Sequence, residues 1–216
     1  MIRTQLSARG VLDPRVHQAM RDVPRDLFVR AEHRDYAYAD EPLRIGCDQT
    51  ISQPFIVGLS LAALAVQPHE RVLEVGSGSG WAAALLGRLG REVIGIERHA
   101  PLALRSQAAL ASVGASNVRI VVGDGSVGLP DEAPFDAILV SAAAPHVPSA
   151  LLDQLAEGGR LLVPVDDPQE PGEQRLMLYT RYGDEIERTD LGAVRFVPLI
   201  GADAHPSKPD RRSMVH

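Results

Sequence analysis

The spacing of apolar and polar positions divides the chain into three stretches. In the first, residues 1 to about 66, helical patterns mix with loops. Asp13-Pro14 predicts a helix start, because the Asp side chain can accept the first free N–H groups and Pro suits the first turn. Val16, Met20 and Val23 then recur on one helical face. Tyr36 to Asp48 carries Pro and Gly without a period and reads as loop. Pro54 to Val66 is apolar and Ala-rich, and predicts a second helix.

From residue 67 to about 165, short β-rich runs alternate with helical patterns. Strands are predicted at 72–75, 93–97, 118–122, 135–140 and 160–165, with helices at Trp81–Leu89, Pro101–Val113 and Pro148–Ala156. The strand runs are apolar on both faces, which requires a mostly parallel sheet covered on both sides. The fold class is therefore α/β and doubly wound, with ligands expected at the carboxyl ends of the strands. In the third stretch, R-L-M-L-Y-T-R-Y (175–182) and A-V-R-F-V-P-L-I (193–200) predict two strands with no helix between them. Such a pair is expected as antiparallel strands at one sheet edge. The division is thus a 1–66 helical and loop extension, a 67–201 core and a polar 202–216 tail.

Composition narrows the partners. The net charge of −6 opposes a broad phosphate-backbone interface, so no nucleic-acid partner is expected. No stretch reaches the ~20 apolar residues of a membrane span, and the N-terminus has no apolar signal core. The one cysteine, Cys47, excludes an intrachain disulfide, and a cytoplasmic monomer is expected. No two of the seven histidines share a helical i, i+3 or i, i+4 spacing, so no metal site is expected. Of the 22 basic residues, 21 are Arg, a bias that reads as base composition rather than chemistry.

The sharpest chemical signal is V-L-E-V-G-S-G-S-G-W, residues 72–81, which follows a strand and opens a helix. Gly76, Gly78 and Gly80 permit a tight turn and close backbone approach to a ligand. Trp81 stands where a dinucleotide fingerprint wants its third glycine, which weakens a nicotinamide reading. The embedded G-x-S-x-G would suit a hydrolase elbow, but it arises from the glycine loop itself. The loop resembles the E-x-G-x-G-x-G loop of S-adenosylmethionine methyltransferases, with Glu74 in the acidic position. Glu97 ends the next strand 21 residues after Gly76, where an acid can accept both ribose hydroxyls. Gly123-Asp124-Gly125 closes the third strand, where Asp124 could reach an adenine amine.

Upstream, I-G-C-D-Q-T-I-S-Q-P (45–54) reads as a loop entering a helix at Pro54. Its hydroxyl and amide groups near a helix N-terminus suit a carboxylate, and equally suit plain capping. With this loop the chain resembles the protein-L-isoaspartate (D-aspartate) O-methyltransferase family. The likeness runs from Gln5 to about Gly201, through V-P-R-D-L-F-V (23–29), Q-T-I-S-Q-P (49–54), the glycine loop, G-D-G (123–125), A-P-F-D-A-I-L-V-S-A-A-A-P (133–145), 151–165 and V-R-F-V-P-L (194–199).

The resemblance implies a Rossmann-like methyltransferase sheet, S-adenosyl-L-methionine as methyl donor and isoaspartyl peptides or proteins as substrate. It places Gln49, Thr50, Ile51, Ser52, Gly76, Ser77, Gly78, Glu97, Asp124 and Gly125 around the donor. Ser52 takes the active-site serine position, and Val194, Phe196 and Val197, with Ser52, face the substrate. The chain departs from the family pattern at Trp81, in the D-D-P-Q-E-P-G-E loop (166–173) and in the tail. Alternatives to protein repair are a carboxyl methyltransferase dedicated to one aspartate of a modified peptide, and a non-catalytic module that binds the donor.

Overall fold

The computed structural model describes residues 1–206; residues 207–216, most of the expected tail, lie outside the described residues. In chain order the regular elements are α1 (Pro14–Asp22), β1 (Leu43–Gly46), β2 (Gln49–Ile51), α2 (Pro54–Leu64), β3 (Arg71–Val75), α3 (Trp81–Leu89), β4 (Glu92–Glu97), α4 (Ala100–Ser112), β5 (Val118–Val122), β6 (Phe135–Val140), α5 (Ser149–Asp153), β7 (Leu155–Asp166), β8 (Gln174–Tyr182) and β9 (Glu185–Val194). Among the described residues, no helix is long and apolar enough to cross a membrane.

Seven strands form one sheet in the order β5-β4-β3-β6-β7-β8-β9. β3 to β7 run parallel, and β8 and β9 close the edge antiparallel. The fold is the doubly wound α/β class, and the strand order reverses between β3 and β6. Leu73 sits between Ile94 and Ile138 in register, and all three are fully buried. On one sheet face, Val72 and Val93 pack against α1, α2, α3 and α4. On the other, Leu73, Ile94 and Ile138 pack with Leu151 of α5.

Local chemistry explains the element ends. Asp13 Oδ1 accepts from the Arg15 and Val16 N–H groups (2.8 and 3.4 Å), with Pro14 in the first turn. The carboxyl end of α2 is closed by Arg160 of β7, whose Nε and Nη2 donate to the Leu64 carbonyl (3.0 and 2.7 Å). The same guanidinium grips Glu70 through Nη1 and Nη2 (2.7 and 2.8 Å).

Three expectations change. The 36–48 stretch is not all loop: Leu43–Gly46 pairs with Gln49–Ile51 in a hairpin, so the 49–51 half of the Q-T-I-S-Q-P segment is strand too. Its turn residues Cys47 and Asp48 have positive φ (51° and 57°), as a tight hairpin turn demands of both central residues. The helix expected at 148–156 is short, because β7 begins already at Leu155. The last strand is Glu185–Val194 rather than 193–200, joined to β8 by a two-residue turn at Gly183-Asp184. Its polar sequence hid it, since an outermost strand has few apolar contacts to make. Residues 195–200 instead cross the sheet end, with Ala143 N–H donating to Val197 (2.8 Å) and Leu199 N–H to Ala143 (2.7 Å).

Arg160→Met should cost about 3–5 kcal/mol, because it strands the buried Glu70 carboxylate. Urea denaturation checks this, and adding Glu70→Met should recover much of the loss.

Candidate active site

Where strand order reverses, the segments after β3 and β6 diverge and leave a crevice. Gly76, Gly78 and Gly80 turn the chain from β3 into α3 with φ of 79°, 52° and 84°, a region costly for any residue with a side chain. At Gly80 space is also short, since a Cβ would lie 2.9 Å from that of Ser106. The Gly76 and Ser77 N–H groups donate to the Ile96 carbonyl (2.8 and 3.1 Å). Gly78 N–H donates to Glu97 Oε2 (2.9 Å), and His99 N–H to Oε1 (2.8 Å). Glu97 is thereby locked at the end of β4, with one acceptor position left on each oxygen.

Two adjoining cavities share Thr50, Gly76, Gly78 and Ser141. The first is also walled by Ile51, Ser52, Glu74, Ser77, Trp81 and Phe196. The second reaches Gln49, Glu97, Gly125 and Val197. A third cavity opens beside them between Ser52, Gln53, Arg195 and Phe196. Ser52 therefore stands between the first cavity and this opening.

Glu74 is the electrostatic anomaly. Its side chain lies inside the sheet, 1% exposed. Oε1 receives one long hydrogen bond from Ser141 Oγ (3.4 Å), while Oε2 has no partner. Burial pushes its pKa up to about 8; the Glu97 charge adds to that, and the Ser141 hydroxyl and Ala83 N–H offset only part. Ser77 Oγ is likewise buried without a partner. Unsatisfied buried polar atoms are rare and costly. Both belong to residues that line the first cavity, where a polar guest would satisfy them.

The structure thus brings together Gln49, Thr50, Ile51, Ser52, Gly76, Ser77, Gly78, Glu97, Gly125, Phe196 and Val197. It places two expected residues elsewhere. The Asp124 carboxylate accepts from Ser126 N–H (3.0 Å), Ser126 Oγ (2.7 Å) and Ala202 N–H (2.8 Å), so it faces the 201–203 turn. Val194 ends β9 and packs against the core instead of a cavity. Ser60, Trp81, Ser141 and Arg195 line the cavities without having been singled out as ligands. The one available signal was Glu74 itself: an acid inside an apolar strand needs a partner.

Comparison with known proteins places the chain in a family. A family model described as protein-L-isoaspartate(D-aspartate) O-methyltransferase matches residues 1–204. The protein-L-isoaspartate O-methyltransferase of Methylorubrum populi is 55% identical over 201 residues, covering 93% of each chain. Protein-L-isoaspartate O-methyltransferase 1 of Syntrophobacter fumaroxidans is 51% identical over 201 residues, covering 93% of this chain and 92% of its own. Among solved structures, a β-aspartate methyltransferase of Plasmodium falciparum in complex with S-adenosyl-L-homocysteine superposes with a TM-score of 0.79 at 29% identity, covering 90% of this chain and 94% of that one. By sequence over nearly its whole length, the chain belongs to the protein-L-isoaspartate(D-aspartate) O-methyltransferase family.

Proposed function

We propose that this chain is a repair enzyme, which methylates the free carboxylate of L-isoaspartyl residues in aged polypeptides with S-adenosylmethionine as donor. D-aspartyl residues are the second substrate class named in the family description. The observation that carries the reading is the cavity that Thr50 and Ser52 line together with Glu74 and Ser77, whose Oε2 and Oγ atoms have no partner. The residues present fit the donor. Glu97 keeps acceptor positions for a ribose diol, Gly125 lines the same cavity for the base, and Glu74 Oε2 and Ser77 Oγ lack partners where an amino-acid end would lie. Asp124 Oδ2 accepts from Ala202 N–H and keeps one acceptor position, through which it joins them in this reading.

Held by Glu97, Glu74 and Ser77, the donor would supply an activated sulfonium methyl group for transfer to a carboxylate oxygen, leaving a neutral thioether. The attacking group needs no general base, since a free carboxylate of pKa about 3.9 is already ionised. The protein's task is alignment, which can be worth several kcal/mol when the atoms are held about 3–3.5 Å apart. Ser52 acts as a hydrogen-bond donor that orients the carboxylate, not as a nucleophile, which would need a base beside it. Phe196 and Val197 close the opening over the substrate, and residues 1–66 serve as part of the site rather than as a separate domain. The reading extends to a cytoplasmic monomer acting on polypeptides; its net charge of −6 supports this against nucleic-acid partners.

An isoaspartyl hexapeptide and its normal aspartyl twin test the proposal. Labelled methyl ester is expected on the isoaspartyl peptide alone; transfer to neither would favour an enzyme dedicated to one modified peptide. Ser52→Ala removes one hydrogen bond to a charged group, about 1.5–3 kcal/mol, so kcat/KM should fall about 10- to 100-fold. Affinity for S-adenosylhomocysteine, measured by calorimetry, should change less than threefold.

Glu74 makes donor binding pH-dependent. A cationic guest favours the carboxylate, so binding must expel the proton that Glu74 holds up to about pH 8. Donor affinity should rise with pH toward 8 and level off above, and Glu74→Gln should flatten the profile. The same shift acts on stability with the opposite sign. The unfolded carboxyl ionises from about 4.5 while the folded one stays protonated, so stability falls as pH rises from 4.5 to 8. Relative to the parent, Glu74→Gln should thus gain stability between pH 5 and 8 in urea titrations.

A further inference from the structure

The V-P-R-D-L-F-V segment lies outside the cavities, yet its arginine is among the largest fully buried side chains of the protein. Arg25 has 0% exposure, and burial pushes its pKa down to about 10 against the nearby charges of Asp40 and Glu41, so it remains a cation at neutral pH. A buried charge is ordinarily paired with a carboxylate. The hydrogen bonds of Arg25 go instead to main-chain carbonyls: Nη1 donates to Ala37, and Nη2 to Glu41 (3.1 Å) and Ser52 (3.0 Å). Nε has no partner. Its guanidinium carbon lies 5.3 Å from the centre of the Trp81 ring, within cation–π range.

The Ser52 carbonyl needs such a donor for a local reason. Gln53 is the N-cap of α2 and supplies the first helical acceptor, to Val57 N–H (3.2 Å). Ser52 lies one residue outside the helix, between β2 and the cap, where regular structure no longer holds its peptide. Arg25 therefore spans the join. One planar cation fixes the peptide that carries the Ser52 hydroxyl, the 37–41 segment behind it, and Trp81, which walls the same cavity. Lysine could not do the same. Its ammonium is a compact point charge, without the rigid fork that binds several carbonyls in one plane while stacking on a ring.

We propose that Arg25 is a positioning residue for methyl transfer, holding the Ser52 peptide so that its hydroxyl meets the substrate carboxylate. The inference rests on Ser52 acting as that carboxylate's hydrogen-bond donor. The two ideas separate in a double-mutant cycle of Arg25→Lys and Ser52→Ala. Rates are measured with the isoaspartyl hexapeptide and expressed per site that binds S-adenosylhomocysteine in calorimetry, so unfolded protein does not count. Arg25→Lys alone is expected to lower kcat/KM for the peptide at least tenfold and leave the KM for the donor within threefold. In the Ser52→Ala background the same substitution should change kcat/KM less than threefold. Equal losses in both backgrounds would overturn the proposal, and so would unchanged peptide kinetics in the single variant. Full activity of Ser52→Ala would instead remove the Ser52 reading beneath it. Should Arg25→Lys fail to bind S-adenosylhomocysteine, Arg25→Met takes its place in the cycle, filling the space with an uncharged side chain.

Discussion

Burial of two carboxylates on neighbouring parallel strands is the constraint around which the site is arranged. Glu74 lies inside β3 and Glu97 ends β4, and both are nearly inaccessible. The two are satisfied differently. Glu97 is anchored by the Gly78 and His99 N–H groups and serves as a fixed acceptor. Glu74 keeps an unmatched oxygen and holds a proton at neutral pH. The glycine loop is the geometric cost of this arrangement: its left-handed turns aim Gly78 N–H at one acid while leaving the cavity above the other open. A protein at rest with an unsatisfied acid in its core is less stable than it could be, and a complementary cation relieves the strain.

The sheet was legible in the sequence because parallel strands buried on both faces leave dense apolar runs that little else produces. β3, β4, β5 and β6 fall within a residue or so of the pattern. The hairpin Leu43–Ile51 was not legible, because its turn uses Cys47 and Asp48 in a conformation usually marked by Asn or Gly. β9 was displaced because an edge strand such as E-I-E-R-T-D-L-G-A-V carries no alternation to read. At the site, residues held by backbone geometry after a strand were readable: Gly76, Gly78 and Glu97 all stand at the cavities. Asp124 shows the limit of such reading. Strand-end position predicts proximity to a ligand, but not that Ser126 and the 201–203 turn compete for the same oxygens.

The N-terminal 66 residues acquire their meaning from packing. α1 and α2 bury Val16, Met20, Leu61 and Leu64 in the same cluster as the core helix α3. That apolar contact presses β2 and Ser52 against the glycine loop, with Ile45 Cδ1 close over Gly78. The extension and the sheet are thus two halves of one cavity. The sheet supplies Glu74 and Ser141, and the extension adds Thr50 and Ser52 to the same wall.

The arginine bias, read at first as base composition, has a structural counterpart. Arg25, Arg160 and Arg105 donate to the carbonyls of Ser52, Leu64 and Ile45, while Arg15, Arg88 and Arg181 do so to Val66, Val113 and Leu152. A guanidinium that recognises a carbonyl is indifferent to the side chain borne by the residue it grips. The path of the connecting segments is therefore set independently of their exposed side chains. Side chains at the gripped positions can be exchanged without releasing the carbonyl that the guanidinium holds, and the fold tolerates change there without redrawing the path of its main chain.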